Sequence, residues 1–404
     1  MRVALLSRAA HPFHAPGGLE RAVFLLAQHL RAQGVETVLF TRPPTRPGRF
    51  PGEVVHVPYD RVPGLAHGRV LDRTLNYPRF AARLGRAVAE RVRAGTIDVV
   101  HAQGLTALGY GRLRRRDPAL AAPLLMNPQG MEEHKTSGAK RVALSRIRAL
   151  SREAARLSDA VIATDEATRH EVPELLGVPE ERVVVLPNGI DPEELRRATP
   201  EDPDRLVRQA LPGIKGAGPV FISVGRLEAY KGFGDILEAF ELLSAGGALP
   251  ARWAWVVVGE GPYRATLERR RQLGIASHLL LAGRVSEHLL HALYARADVF
   301  VHATHFEGSS LVTLEAMAHG LPVVATAAGG IPDKVVDGES GRLVPPGDVP
   351  ALAAAIAEVA RDPERRRRLG ARGRELVLER FGWPALARRT IAVYEELLRR
   401  KGPA

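Results

Sequence analysis

VFVHATHFEGSSLVTLEAMAHGLPVVAT, residues 299–326, is the stretch on which the fold turns. An apolar run, Val299–His302, is short enough for a strand buried on both faces. A polar loop with Gly308, Ser309 and Ser310 follows, then a helical segment reaching Ala318, then a second apolar run, Val323–Thr326. Strand, loop, helix, strand is the β-α-β unit of a parallel sheet. In such sheets ligands bind where strands end and helices begin, because the first N–H groups of a helix are unpaired and its dipole is positive there. Glu307 falls in that loop, and Glu315 lies a turn or more inside the helix on the face toward the same cleft. Gly308, Ser309 and Ser310 offer N–H groups to phosphate or sugar hydroxyls. Taken singly, Glu307 reads better as a favourable first-turn acid, and Glu315 as a surface helix residue.

The same rhythm runs outward. Upstream, Val220–Val224, Trp255–Val258 and Leu279–Ala282 read as strands, most followed by a helix. After the first comes Gly225-Arg226-Leu227-Glu228-Ala229-Tyr230-Lys231-Gly232, a strand-to-helix turn with two cations. Arg226 can fork onto two oxygens of a diphosphate while Lys231 acts as a point charge, and the glycines let the backbone approach. On spacing alone an exposed turn with solvated charges is the better reading. Ala327-Ala328-Gly329-Gly330-Ile331-Pro332 adds a third loop at the same sheet edge, and it is the conjunction of three that points to a site.

The N-terminal half repeats the pattern: strand Arg2–Ser7, helix Leu19–Gln33, strand Val35–Thr41, a Pro/Gly/Arg excursion around a short strand Glu53–Pro58, then strands at Asp98–His101, Leu124–Asn127, Ala160–Thr164 and Val183–Leu186. Turn chemistry at Pro187–Pro192 and the polar run Thr199–Arg208 mark a linker. Two α/β, Rossmann-like domains result, 1–198 and 199–383. Neither has G-x-G-x-x-G after its first strand, which argues against a dinucleotide-dependent dehydrogenase.

Composition bounds the rest. With 404 residues, 45% hydrophobic and 25% charged, the chain suits two globular cores. It has no cysteine, which excludes thiolate zinc sites and a Cys nucleophile, and no apolar run long enough to span a bilayer, so a cytoplasmic protein is expected. Residues 1–190 hold 28 Lys+Arg against 18 Asp+Glu, or +10 of the net +12. That charge predicts an acceptor that is anionic or sits at an anionic membrane surface. The basic amphipathic helix expected over Lys140–Leu157 could lie on a lipid interface or dock on its own sheet. Nucleic acid is the rival partner, suggested by Arg112-Leu113-Arg114-Arg115-Arg116, but stacking aromatics and recognition motifs are missing beside it, so none is expected.

EGSSLVTLEAMAHGLPVVA (307–325) resembles the Glu-x7-Glu motif of glycosyltransferase family 4, the retaining GT-B enzymes. PGGLER (16–21), PNGID (187–191), VGRLEAYKG (224–232), VGEGPYRATLE (258–268) and AAGGIPDKVVDGESGRLVPPGD (327–348) accompany it in family order over the whole chain. The resemblance implies two Rossmann-like domains facing a central cleft, an N-terminal acceptor domain, a C-terminal donor domain, and a last helix (384–404) crossing back to the first domain, with Trp383 packed near the hinge. It implies a retaining hexosyltransferase that moves sugar from a nucleotide diphosphate sugar, a co-substrate, to an acceptor hydroxyl, with no metal or other cofactor.

By that resemblance Arg226 and Lys231 hold the diphosphate beside Gly225, with Gly308, Ser309, Ser310 and Leu311 at the helix start. Glu315 bonds the ribose, Glu307 orients the sugar, and Gly17 and Gly18 approach the phosphates. Ser309-Ser310 replaces the family's Phe-Gly, and Gln129 stands where many members have a histidine near the donor sugar; His101 is a nearby candidate for that sugar-side or acceptor-side role. Asp202-Pro203-Asp204 resembles a metal-binding D-x-D, but lies in the linker and not after a strand. A GT-B nucleotide-sugar epimerase or a phosphorylase are the alternative enzymes.

Overall fold

A computed structural model describes residues 1–14, 18–60, 72–128, 131, 134, 142–271, 275 and 277–400. The chain forms two compact units, Met1–Pro187 with Trp383–Ala404, and Asn188–Gly382. The second unit begins ahead of residue 199 because the helix Pro192–Ala198 packs on its helix Glu287–Arg296, and His288 Nδ1 meets the Ala198 carbonyl at 2.9 Å.

The first unit is built on seven strands: β1 Arg2–Leu6, β2 Glu36–Thr41, β3 Glu53–His56, β4 Val99–Gln103, β5 Leu124–Asn127, β6 Ala160–Ala163 and β7 Val183–Val185. All are parallel, in the order β3-β2-β1-β4-β5-β6-β7. The second unit has six: β8 Val220–Val224, β9 Ala254–Val258, β10 Leu279–Gly283, β11 Val299–His302, β12 Val323–Thr326 and β13 Gly341–Val344. They too are parallel, in the order β10-β9-β8-β11-β12-β13. Each unit is Rossmann-like: strand order reverses between β1 and β4 in one and between β8 and β11 in the other, the crevice where such sheets bind ligands.

Continuous apolar strands fit because helices cover both sheet faces. Along β8, Val220, Ile222 and Val224 join one buried cluster and Phe221 the other; along β1, Ala4 and Leu6 divide in the same way from Val3 and Leu5. Burying each of these Val, Leu, Ile and Phe side chains contributes about 1.5–3 kcal/mol against leaving it in water.

The last helix, Trp383–Arg400, belongs to the first unit and sinks Trp383, Leu386, Tyr394 and Leu397 into the cluster of Val3, Leu5 and Leu26. His101, a sugar-side candidate from sequence, is spent on this docking. It is buried, its Nδ1 is 2.7 Å from Tyr394 Oη, and its Nε2 is 3.4 Å from Gln103 Nε2. The basic amphipathic helix is described over Ser145–Arg156, and it docks on its own sheet: Ile147, Leu150, Ala154 and Leu157 pack in the core, and Arg112 forks onto Glu153. With that face buried, it has no apolar stripe for a bilayer; Val142, ahead of the helix, is exposed. No helix among the described residues is long and apolar enough to cross a membrane.

Candidate functional site

At the reversal point of the second sheet, three loops are stitched together by small residues and backbone bonds. The turn after β8 ends at Gly232, in left-handed geometry (φ 69°), and a Cβ there would lie 1.8 Å from the Ala303 carbonyl in the loop after β11. Gly329, after β12, is also left-handed (φ 52°), with a Cβ position 1.7 Å from the Glu307 carbonyl. No side chain fits at either point. His305 N donates to the Tyr230 carbonyl at 2.8 Å, and Thr326 Oγ1 to the Thr304 carbonyl at 2.5 Å.

This arrangement brings Lys231 and Glu307 together, 76 residues apart in sequence: Lys231 Nζ lies 2.7 Å from Glu307 Oε2, and each side chain is about seven-eighths buried, at 14% and 13% exposure. His302, the last residue of β11 and itself buried, places Nε2 2.8 Å from the same oxygen. Burial works to raise the Glu307 pKa, but the His302 hydrogen bond and charge, joined by those of Lys231, bring it down to about 2. Glu307 is therefore a fixed anion at neutral pH, with Oε2 occupied and Oε1 making no hydrogen bond among the described residues.

Arg226 is exposed and bonds Tyr230 Oη at 2.9 Å, and the Tyr230 ring centre is 5.4 Å from Lys231 Nζ, so the two cations meet through this tyrosine. Gly225 directly follows β8 beside them. The helix Leu311–Ala318 starts at Ser310, which provides no side-chain cap; its hydroxyl pairs with Thr313 Oγ1 at 2.9 Å. The first N–H groups of that helix, Leu311 among them, are thus left for a ligand, next to Gly308. The buried Ser309 hydroxyl has no partner among the described residues, an orphan polar atom of the kind a ligand satisfies. Glu315, one turn in, accepts from Tyr294 Oη at 3.2 Å. Burial, and then the charge of Glu315, holds the Tyr294 hydroxyl well above its ordinary pKa, so it stays a donor.

The structure thus gathers Lys231, Glu307, Ser309 and Ser310 at one sheet edge, with Arg226 reaching in through Tyr230. Gly18 opens the helix Gly18–Ala32 of the first unit; Gly17 and Gln129 lie outside the described residues. The linker acids have other tasks: Asp202 caps the helix Pro203–Ala210 by accepting from Arg205 N, and Asp204 pairs with Arg296 at 3.3 Å. Sequence reasoning missed His302, Tyr294 and Lys334. The last is a fully buried cation whose Nζ donates to the Gly330 carbonyl at 2.8 Å, beneath the third loop.

Two matches with known families tile the chain. Residues 16–194 match the model described as Glycosyltransferase Family 4, and residues 208–376 the model described as Glycosyl transferases group 1. A relative named D-inositol 3-phosphate glycosyltransferase from Kineococcus radiotolerans is 30% identical over 97% of this chain and 94% of its own length. The chain belongs to glycosyltransferase family 4. Sucrose-phosphate synthase from Thermosynechococcus elongatus superposes with TM-score 0.73 at 24% identity, covering 99% of both chains. Anabaena HepE, solved with UDP and glucose, gives 0.71 at 21% identity, covering 98% of this chain and 100% of that one. At these identities the likenesses establish the GT-B fold of this family 4 transferase.

Its buried titratable groups set a pH dependence. Burial lowers His101 and His319 from 6.5 to about 4, helped for His319 by the neighbouring His291. Their folded pKa lies below the unfolded one, so the stabilisation is complete above about 6.5 and is lost as pH falls toward 4; that of Glu307 goes between 4.5 and about 2. The thermal midpoint of this glycosyltransferase is therefore expected to be level above pH 7 and to drop steadily from pH 6.5 to 4. A midpoint unchanged over that interval would refute the assignment.

Proposed function

We propose that this glycosyltransferase is a retaining hexosyltransferase that takes its sugar from a nucleotide diphosphate donor held by the second unit, without a metal ion. The observation that carries this reading is the Lys231–Glu307–His302 cluster at the β8/β11 reversal, facing an uncapped helix N-terminus. Breaking the bond between the anomeric carbon and the phosphate oxygen develops negative charge on the leaving diphosphate. Lys231, Arg226 and the helix N–H groups stabilise that charge, and preorganised donors of this kind are the largest single source of rate enhancement. The acceptor oxygen attacks the anomeric carbon from the face the phosphate leaves, and its proton passes to the departing phosphate oxygen. Glu307 orients the sugar through Oε1 and is not the nucleophile. Glu315 receives the ribose hydroxyls.

With cations in the metal's place, nucleoside diphosphate affinity should be the same in chelator as in magnesium, measured by calorimetry. Binding that vanishes in chelator and returns with magnesium or manganese would overturn that part of the reading. His302 acts on Glu307, not on substrate. His302→Leu should lower kcat about tenfold with little change in donor KM, and His302→Gln, which keeps a donor, should recover most of it. Equal losses in both variants would make its role merely structural.

The acceptor is anionic. The last segment, 383–404, adds five basic residues against two acidic, so the first unit carries 33 against 20, and the second 24 against 25. Such a field steers anions to the first unit, and the Kineococcus relative is named for a phosphorylated polyol. Transfer to a phosphorylated acceptor should show a KM that rises with salt; a KM independent of salt, with neutral acceptors used as well, would contradict this.

A further inference from the structure

The first unit also has a cavity of about 460 Å³ at the opposite sheet edge, where strands begin. It lies against Asp159, just before β6, and Arg182, just before β7, with Arg114, Arg115, Arg156 and Arg400 around it. None of these residues belongs to the donor machinery. The one acid of the lining is already committed: Asp159 takes both terminal nitrogens of Arg114 and the N–H of Leu124. Arg114 is held further by the Leu157 carbonyl at 2.9 Å, so this arm is fixed in place. Arg400 shares Glu396 with Arg399. The side chains of Arg115, Arg156 and Arg182 make no hydrogen bond or salt bridge among the described residues.

An ordinary reason for arginines here is that three helices, Ala107–Arg114, Ser145–Arg156 and Trp383–Arg400, end at the cavity. Each helix end carries roughly half a negative charge. Three such ends and Asp159 offset only about half of five guanidinium charges, and Glu396 does not close the gap. A surplus of one to two positive charges is left around a concave space of ligand size. Planar guanidinium forks suit phosphate oxygens, and Gly111, Leu157 and Leu397 are the apolar members of a lining that is otherwise polar or charged.

We propose that this cavity is a second anion site, separate from the donor site, which binds a phosphate-bearing group through Arg115, Arg156 and Arg182 on the framework of Arg114 and Asp159. The same chemistry can come from a soluble phosphorylated molecule or from a lipid headgroup, and the test separates the two. The whole protein is titrated with pyrophosphate by calorimetry, alongside the variant Arg115→Ala/Arg156→Ala/Arg182→Ala and a control variant, Arg31→Ala/Arg86→Ala/Arg388→Ala, that removes three exposed charges elsewhere on the same unit. Circular dichroism and the thermal midpoint establish that both variants are folded. Because Lys231→Ala weakens the donor contribution, the titrations are repeated in that background, with its fold checked in the same way.

In the Lys231→Ala background the cavity variant should lose about tenfold or more of its pyrophosphate affinity, and with Lys231 intact it should lose one of two binding events, while the control variant binds as its background does. Pelleting with phosphatidylglycerol against phosphatidylcholine vesicles forms the second arm. Loss of pyrophosphate binding without loss of vesicle binding marks a soluble ligand; loss of phosphatidylglycerol binding in the cavity variant alone marks a headgroup. A cavity variant that matches the control in both arms, in both backgrounds, overturns the site.

Discussion

Lys231→Ala is expected to lower sugar transfer by roughly 10²–10³-fold, the loss seen when one preorganised donor to a developing anion is removed. Nucleoside diphosphate affinity should weaken by about tenfold or more, since in the proposed function the same ammonium holds ground-state phosphate. The structure adds a structural cost. Lys231 and Glu307 are an ion pair at 2.7 Å with little solvent access, and taking away one member of such a pair costs about 3–5 kcal/mol of stability. Lys231→Arg should regain stability better than activity, because a guanidinium fork cannot reproduce a point charge at that spot. Calorimetry with the nucleoside diphosphate, together with transfer rates at a temperature where both variants are folded, separates the effects. Wild-type affinity and rate in Lys231→Ala would remove the lysine from the site.

Glu307→Ala is expected to lower transfer by about 10²-fold or more while leaving nucleoside diphosphate affinity within about threefold of wild type. Glu307 Oε2 binds Lys231 and His302, not phosphate, so its removal frees the ammonium and does not disarm it. Affinity should hold or rise slightly. Glu307→Gln keeps the shape and loses the charge, and should resemble Glu307→Ala in rate if orientation of the sugar depends on the anion. The pair of defects is diagnostic: Lys231→Ala fails in binding and rate, Glu307→Ala in rate. Full transfer activity in Glu307→Ala would exclude the residue from catalysis.

How far the sequence reached is clearest along β11 and β12. Val299–His302 and Val323–Thr326 are short apolar runs bounded by turn residues, and the strands have those bounds. β13, Gly341–Val344, went unread because four residues with Arg342 in the middle carry no periodicity; pairing with β12 alone makes them a strand. The loops of the candidate site were legible through their glycines and charges, but the pairing within them was not. Nothing local says that Lys231 and His302 meet on one oxygen of Glu307. That follows from the parallel register of β8 and β11 and from Gly232 pressing on Ala303. His101 shows the converse. A polar residue at a strand end reads as a site, yet Tyr394, 293 residues away, claims it. Similarly, the periodicity of the basic amphipathic helix is the same whether its apolar face meets a membrane or its own sheet, and the structure shows it on the sheet.

On the proposed function, the second unit holds a nucleotide diphosphate sugar and releases the diphosphate during transfer. It is tested most directly by incubating the protein with a panel of nucleotide sugars in chelator, differing in base and in hexose, and measuring nucleoside diphosphate released with and without phosphorylated acceptors. One donor is expected to give release, acceptor to accelerate it, and Lys231→Ala to lower it by roughly 10²–10³-fold. No release from any nucleotide sugar, or release undiminished in Lys231→Ala, would contradict it.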